Sequence, residues 1–113
     1  MLIAARAHAR GVRVIAGTIP PDGAYRGYSA VRERLRRRVN AWIRATHAVD
    51  GVVDWDRAMR VPGDAARLNP AYDSGDGLHP NNRGYRAMGD AVPLSLCAPP
   101  TLLDAHGDRS TSP

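Results

Sequence analysis

The run Val12-Arg13-Val14-Ile15-Ala16-Gly17 is rich in β-branched residues, and a loop-like Thr-Ile-Pro-Pro-Asp-Gly follows it. This pattern predicts a short buried strand. From Ser29, a suitable N-cap, apolar residues recur three or four positions apart, which predicts a helix ending near Ala48. A second apolar run at 52–55 predicts another strand. Strand, helix and strand in this order predict a βαβ unit with parallel strands.

The predicted helix is amphipathic, so one of its faces is expected to be buried and the other solvated. The apolar positions of the buried face are Val31, Leu35, Val39, Trp42 and Ile43. The cluster of arginines assigned to the solvated face is Arg32, Arg34, Arg36, Arg37 and Arg38. A basic patch for nucleic acid or an acidic membrane is the alternative, but no aromatic residues are interleaved and no binding motif is present.

The flanking segments complete one domain. Residues 2–10 predict a helix, residues 61–80 a long structured loop, and a last helix begins at Asn81 or Asn82. That helix is expected to carry Tyr85, Met88, Val92 and Leu96 on one face. Residues 97–113 read as a disordered tail.

The composition limits the classes of protein to which this chain can belong. The chain has 113 residues, of which 43% are hydrophobic and 24% charged, as in one ordinary globular domain. Its net charge is +5. Arginine or aspartate interrupts every apolar run, so we expect no membrane span, and Arg6 and Arg10 break the beginning of any signal peptide. The single Cys97 excludes an internal disulfide, and no Cys/His spacing fits zinc.

The most informative stretch for chemistry is Tyr-Asp-Ser-Gly-Asp-Gly-Leu-His-Pro-Asn at 72–81. In a tight turn, the carboxylate of Asp76 can reach the imidazole of His79, three residues away. An aspartate bound to one ring nitrogen fixes the tautomer and leaves the other nitrogen free to take a proton. Gly75 and Gly77 permit the backbone shapes that such a turn requires.

Other interpretations of this turn stay open at this point. Asp76 or Asn81 can cap the last helix while His79 is simply solvated. A metal site built from Asp73, Asp76 and His79 is less well supported by these residue types. The aromatic residues Tyr25, Tyr28, Trp42 and Trp55 are expected to pack in the core rather than to line a pocket.

The sequence around Asp76 and His79 resembles that of a known family. Residues 76–81, with Gly-Tyr-Arg-Ala-Met at 84–88, closely resemble the last sequence block of the SGNH (GDSL) hydrolases, the bacterial lipase and acylhydrolase group. Residues 14–20 resemble that family's late strand and following loop. Residues 40–44 and 50–54 resemble the helix and strand that precede the final block, so the resemblance spans residues 2 to about 96.

The resemblance implies that Asp76 orients His79 and that His79 is the general base of a Ser-His-Asp triad, with no cofactor and no metal. The substrate would be a small-molecule, lipid or carbohydrate ester. The fold it implies is an incomplete three-layer α/β/α domain over residues 1–96, with about two parallel strands and three main helices. One of those strands would have an unpaired edge, through which the chain is expected to self-associate.

The family's nucleophile lies in a Gly-Asp-Ser block, and its oxyanion hole uses a glycine and the asparagine of a Gly-x-Asn-Asp block. Neither block occurs in these 113 residues. Losing the nucleophile costs on the order of a millionfold in turnover, so we expect the C-terminal part of an esterase that is inactive alone. Ser74 is a poor substitute, because it lies in the same turn without oxyanion donors. A non-catalytic remnant or interaction module is the alternative.

Overall fold

A computed structural model describes residues 1–99, and most of the predicted tail lies outside the described residues. Helices and strands alternate over the first half of this part of the chain, and two consecutive strands follow. They are α1 (Leu2–His8), β1 (Ile15–Gly17), α2 (Ala30–Ala45), β2 (Gly51–Val53), α3 (Trp55–Met59), β3 (Arg60–Val61), β4 (Asp64–Leu68) and α4 (Asn82–Asp90), with 3-10 helices at Pro70–Tyr72 and Leu94–Leu96. None of the helices described is long and apolar enough to cross a membrane.

The predicted βαβ unit and the α/β fold class are confirmed. β1 and β2 pair in parallel, with Ile15 opposite Gly51 and Gly17 opposite Val53, and α2 connects them. Both strands are shorter than predicted. β2 ends at Val53 because the Asp54 side chain accepts a hydrogen bond from the backbone N–H of Arg57 and so caps α3.

The prediction of a single long loop at residues 61–80 is wrong in its first part. β3 and β4 form an antiparallel hairpin there. Pro62 and Gly63 lie between the two strands, and Gly63 has a φ of +84°. Proline followed by glycine is a turn signal, and here it joins two strands instead of belonging to an extended loop.

The assignment of the faces of α2 is wrong in part. Val31, Leu35 and Trp42 are 66%, 61% and 49% exposed, although they were expected to be buried. Ile43 is buried as expected, and the other buried residues of α2 are Glu33, Arg36 and Asn40. Arg32, Arg34, Arg37 and Arg38 are exposed, as expected. Periodicity identified a helix with two different faces, but it could not identify which face the rest of the chain covers.

Arg36, which was expected to be solvated, is buried in an ionic cluster beneath α2. Its guanidinium donates to both carboxylate oxygens of Glu33 at 2.8 Å and to Asp56 at 2.7 Å. It also donates to the carbonyl oxygens of Ile19 and Ala65. These acceptors replace the water that a buried charge loses, which is the condition under which such a charge is tolerated.

Polar side chains also hold the segment that follows β1. The amide of Asn40 accepts from the Ile19 N–H at 2.7 Å and donates to the Ile19 carbonyl at 2.9 Å. The Thr18 hydroxyl donates to Asp54 and accepts from the N–H of Asp56. The loop at the carboxyl end of β1 is therefore fixed to both α2 and α3.

The last helix begins as predicted and ends earlier. The Asn81 side chain caps α4 by accepting from the Gly84 N–H, and the helix stops at Asp90. Tyr85 on this helix is exposed. The indole N–H of Trp55 donates to the carbonyl of Met88, which fastens α3 to α4. The buried apolar core is small, and it consists of Ala4, Ile43, Val53, Met59 and Leu68.

Candidate active site

Asp76 and His79 lie in contact in one turn. Nδ1 of His79 is 2.5 Å from Oδ2 of Asp76. The other carboxylate oxygen, Oδ1, accepts from the backbone N–H groups of Leu78 at 2.9 Å and His79 at 2.8 Å. Because a carboxylate can only accept, Nδ1 carries the proton and Nε2 presents its lone pair.

These hydrogen bonds set the charge of the aspartate. The imidazole of His79, together with the two backbone N–H groups, holds the pKa of the Asp76 carboxyl well below its usual range. The carboxylate therefore stays ionised over the whole pH range in which a histidine titrates. An ionised partner stabilises the imidazolium that forms when the ring takes a proton.

The turn is closed by main-chain hydrogen bonds. Asp73 and Pro80 form an isolated antiparallel bridge, and the Ser74 N–H donates to the carbonyl of His79 at 2.9 Å. The Asp73 carboxylate accepts from the N–H groups of Gly75 and Gly77. Asp73 therefore shapes the turn from inside while Asp76 faces His79.

Gly77 is required by the backbone at this point. Its φ is +75°, and a Cβ built there would lie 2.4 Å from the carbonyl carbon of Ala24. Gly75 also has a positive φ. The expectation that both glycines serve special backbone conformations is confirmed, and Gly77 in addition allows the turn to pack against the segment at Ala24.

Asn81 anchors the turn to α4. Besides capping the helix, its side-chain amide donates to the carbonyl oxygens of Ala71 and Asp73 at 3.1 and 3.0 Å. The prediction that Asn81 caps the last helix is therefore confirmed. The His79 side chain is 66% exposed, and its ring contacts the Asp76 carboxylate at the same time.

A cavity of about 540 Å³ opens beside the pair. His79 and Asp76 line it together with Tyr25 and Arg26 from the loop that precedes α2. Tyr25 was expected to pack in the core. Its place in the lining of this cavity was not predicted, because nothing in the local sequence pattern brings residues 24–26 close to residue 79. The guanidinium carbon of Arg32 lies 5.8 Å from the centre of the Tyr25 ring, within the range of a cation–π contact.

The serines do not supply a nucleophile at His79 among the residues that the structure describes. The Ser74 hydroxyl lies 3.3 Å from Oδ1 of Asp76, where it donates to the carboxylate. Ser29 caps α2, as predicted. Within residues 1–99, no three His, Cys, Asp or Glu side chains form a group that could hold a metal ion.

Comparisons with known proteins agree with this fold. The structure of a GDSL-like lipase from Bacteroides thetaiotaomicron superposes with a TM-score of 0.68 at 24% identity, over 84% of this chain and 47% of that one. The structure of an acylhydrolase candidate from Bacteroides fragilis superposes with a TM-score of 0.63 at 27% identity, over 85% and 47%. The chain thus spans about half the length of these proteins. No curated protein sequence matches it.

The family model of the GDSL-like lipases and acylhydrolases matches residues 1–87, a range that contains both strands of the parallel sheet and the turn with Asp76 and His79. That range is more than half of the sequence. The chain therefore belongs to the GDSL-like lipase/acylhydrolase family.

Proposed function

We propose that Asp76 and His79 are two thirds of a Ser-His-Asp triad and that residues 1–96 form the C-terminal part of an ester-hydrolase domain. The observation that carries this is the 2.5 Å contact from Nδ1 of His79 to a carboxylate that is itself held by backbone N–H groups. With the proton on Nδ1, Nε2 of His79 can accept a proton from a nucleophile. Both residues line the cavity of about 540 Å³ in which a substrate would bind.

The reaction would proceed through an acyl-enzyme. His79 takes the proton of a serine hydroxyl, the serine oxygen bonds to the ester carbonyl carbon, and the alcohol leaves with the proton from His79. Water then gives a proton to His79 while its oxygen bonds to the acyl carbon. The bond from that carbon to the serine oxygen breaks, the acid is released, and His79 returns the proton to the serine oxygen. Asp76 remains ionised throughout and stabilises the imidazolium.

We propose further that the chain alone is inactive, since neither a Gly-Asp-Ser nor a Gly-x-Asn-Asp block occurs in it. Each missing oxyanion donor alone would cost about a hundredfold to a thousandfold in rate. Hydrolysis of p-nitrophenyl acetate by the purified chain should equal that of the His79→Ala variant. Turnover by the chain that disappears in His79→Ala but survives in His47→Ala would contradict this, because His47 is an exposed histidine elsewhere on the surface.

The role of the pair can be tested without turnover. Nitrogen-15 NMR of the ring should show a proton on Nδ1 and none on Nε2 of His79 at a pH where the ring is neutral. Asp76→Asn should mix the two tautomers, because an amide can accept from one or donate to the other. A neutral ring protonated on Nε2 in the unmodified chain would overturn His79 as the general base.

The alternative function is a non-catalytic interaction module, favoured by the lack of a nucleophile at His79 in the described part of the chain. The two are separated by joining the chain to the part of the Bacteroides thetaiotaomicron lipase that it does not match. Ester hydrolysis that falls by about 10⁴-fold in Asp76→Asn supports the triad. An assembled protein without hydrolysis supports the module.

A further inference from the structure

We propose that Arg26 selects the substrate of the candidate active site, and that the ester it favours carries a free carboxylate in its acyl or alcohol part. The inference rests on the proposed function of Asp76 and His79, and it adds the chemical class of the substrate. Its basis is the position of a cation in the wall of the cavity that this pair lines.

Arg26 lines the cavity of about 540 Å³ together with Asp76 and His79, and its side chain is exposed. Within residues 1–99, its guanidinium forms no ion pair with a carboxylate. A guanidinium presents N–H donors in a planar fork that matches the two oxygens of a carboxylate. The cavity therefore has a positive charge in its wall that an anionic group on a bound molecule can neutralise.

The loop that carries Arg26 is held on both sides of this residue. Before it, the Gly23 N–H donates to the carbonyl of Ala66 at 2.7 Å. After it, the Arg32 side chain donates to the Gly27 carbonyl at 2.7 Å. Because the loop is already fixed, binding an anion at Arg26 requires little further ordering of the backbone.

The neighbouring charges favour a singly charged ligand at Arg26. Arg32 is the next cation along the chain, and it is paired with Asp22 at 3.1 Å. The Asp76 carboxylate lines the same cavity, and its oxygens accept from the His79 ring and from two backbone N–H groups. Since Asp76 keeps its negative charge, it repels a phosphate, which carries about −1.5 to −2 at pH 7, more strongly than a carboxylate.

Tyr25 adds an aromatic ring to the wall of this cavity. The ring lies close to the backbone of Gly27, because a Cβ built there would be 2.5 Å from Cε1 of Tyr25. Pockets that combine an apolar wall with one charged group orient a ligand by its polar end. We therefore expect a short alkyl chain to pack near Tyr25, between the ester and the carboxylate that Arg26 binds.

The test measures binding to the full chain at neutral pH. The probes are monomethyl succinate, which has one ester and one carboxylate, and dimethyl succinate, which has the same carbon chain without the charge. Their dissociation constants are measured from the nuclear magnetic resonance shifts of the His79 ring, assigned with His79→Ala. We expect monomethyl succinate to bind about tenfold more tightly, because hydrogen bonds to charged groups are stronger than those between neutral groups.

Two variants identify the residue responsible. Arg26→Gln should raise the dissociation constant of monomethyl succinate about tenfold and leave that of dimethyl succinate unchanged. Arg83→Gln is the matched control, because Arg83 is also exposed and lines a different cavity on α4. It makes the same change in net charge and should keep the preference. An equal loss of preference in both variants would overturn the role of Arg26, because net charge alone would then attract the anion.

Equal binding of the two esters by the unmodified chain would overturn the inference, and so would the absence of any shift of His79 with either ester. Tighter binding of inorganic phosphate than of monomethyl succinate would overturn the choice of a carboxylate. A neutral His79 ring protonated on Nε2, with the preference for monomethyl succinate retained, would count against the proposed function and not against binding by Arg26. Loss of the preference with the proton on Nδ1 would count against Arg26 alone.

Discussion

Asp54 accepts two hydrogen bonds from the guanidinium of Arg44, at 2.7 and 2.8 Å, and these bonds hold the pKa of its carboxyl at about 2. A carboxyl that is unperturbed in the unfolded chain titrates near a pKa of about 3.9. The folded state therefore binds this proton more weakly than the unfolded state does. Its contribution to stability is complete above about pH 4 and is lost as the pH falls toward 2.

We expect the Asp54→Asn variant to lose this acid-sensitive stability, on the order of 2 kcal/mol, at neutral pH. Its helical circular dichroism should then change less between pH 4 and pH 2 than that of the unmodified chain. Asp90→Asn is the control, because Asp90 is an exposed residue at the end of α4. An identical acid transition in Asp54→Asn and the unmodified chain would show that the bonds to Arg44 carry no stability.

The buried ion pairs of Arg36 lead to a second prediction. Arg36→Met leaves the buried carboxylates of Glu33 and Asp56 without the cation that pairs with them. Breaking a buried ion pair from one side costs about 3–5 kcal/mol. The variant should lose its helical circular dichroism at temperatures where Arg38→Met, an exposed position on the same helix, keeps it. Equal behaviour of the two variants would contradict the buried cluster.

The helix α4 contacts the 3-10 helix at Pro70–Tyr72, and this contact positions the turn with Asp76 and His79. The contact depends on a glycine. A Cβ built at Gly84 would lie 2.6 Å from the carbonyl oxygen of Tyr72 and 2.8 Å from Cβ of Pro80. At Gly89, on the same helix, nothing lies within 4 Å of such an atom.

The difference between Gly84 and Gly89 leads to a matched pair of predictions. Gly84→Ala should lower the free energy of unfolding by about 1–3 kcal/mol, because the helix must move away from the turn. Gly89→Ala should raise it by about 0.5–1 kcal/mol, because alanine favours the helix. Thermal melts of the two variants measure both changes. If both alanines stabilise the protein equally, α4 does not pack closely on the turn.

The molecule has a small apolar core and a large number of exposed apolar side chains. Its buried hydrophobic side chains are few, while Val31, Leu35 and Trp42 on α2 and Ile15 on β1 are exposed. Most of the burial that holds α2 in place is polar, through Arg36 and Asn40. A domain with so little apolar burial is marginally stable, because burial of apolar area is the main favourable term in folding.

We therefore expect the purified chain to unfold over a broad temperature range and to associate weakly as its concentration rises. Leu35→Asp should reduce this association, because it replaces an exposed apolar side chain of α2 with a charged one. Sedimentation equilibrium and calorimetry at several concentrations measure the two properties. A sharp, concentration-independent transition of a monomer would contradict the expectation.

Features that depend on near neighbours could be predicted from the order of the amino acids alone. The βαβ order, the caps at Ser29 and Asn81, and the contact of Asp76 with His79 were all predictable, because the groups concerned are local or follow a short pattern. The packing of the folded chain was needed to show that α2 buries Arg36 and exposes Leu35, and that Tyr25 and Arg26 lie beside His79. Those arrangements join residues far apart in the chain, and which face is buried depends on what the rest of the fold brings against it.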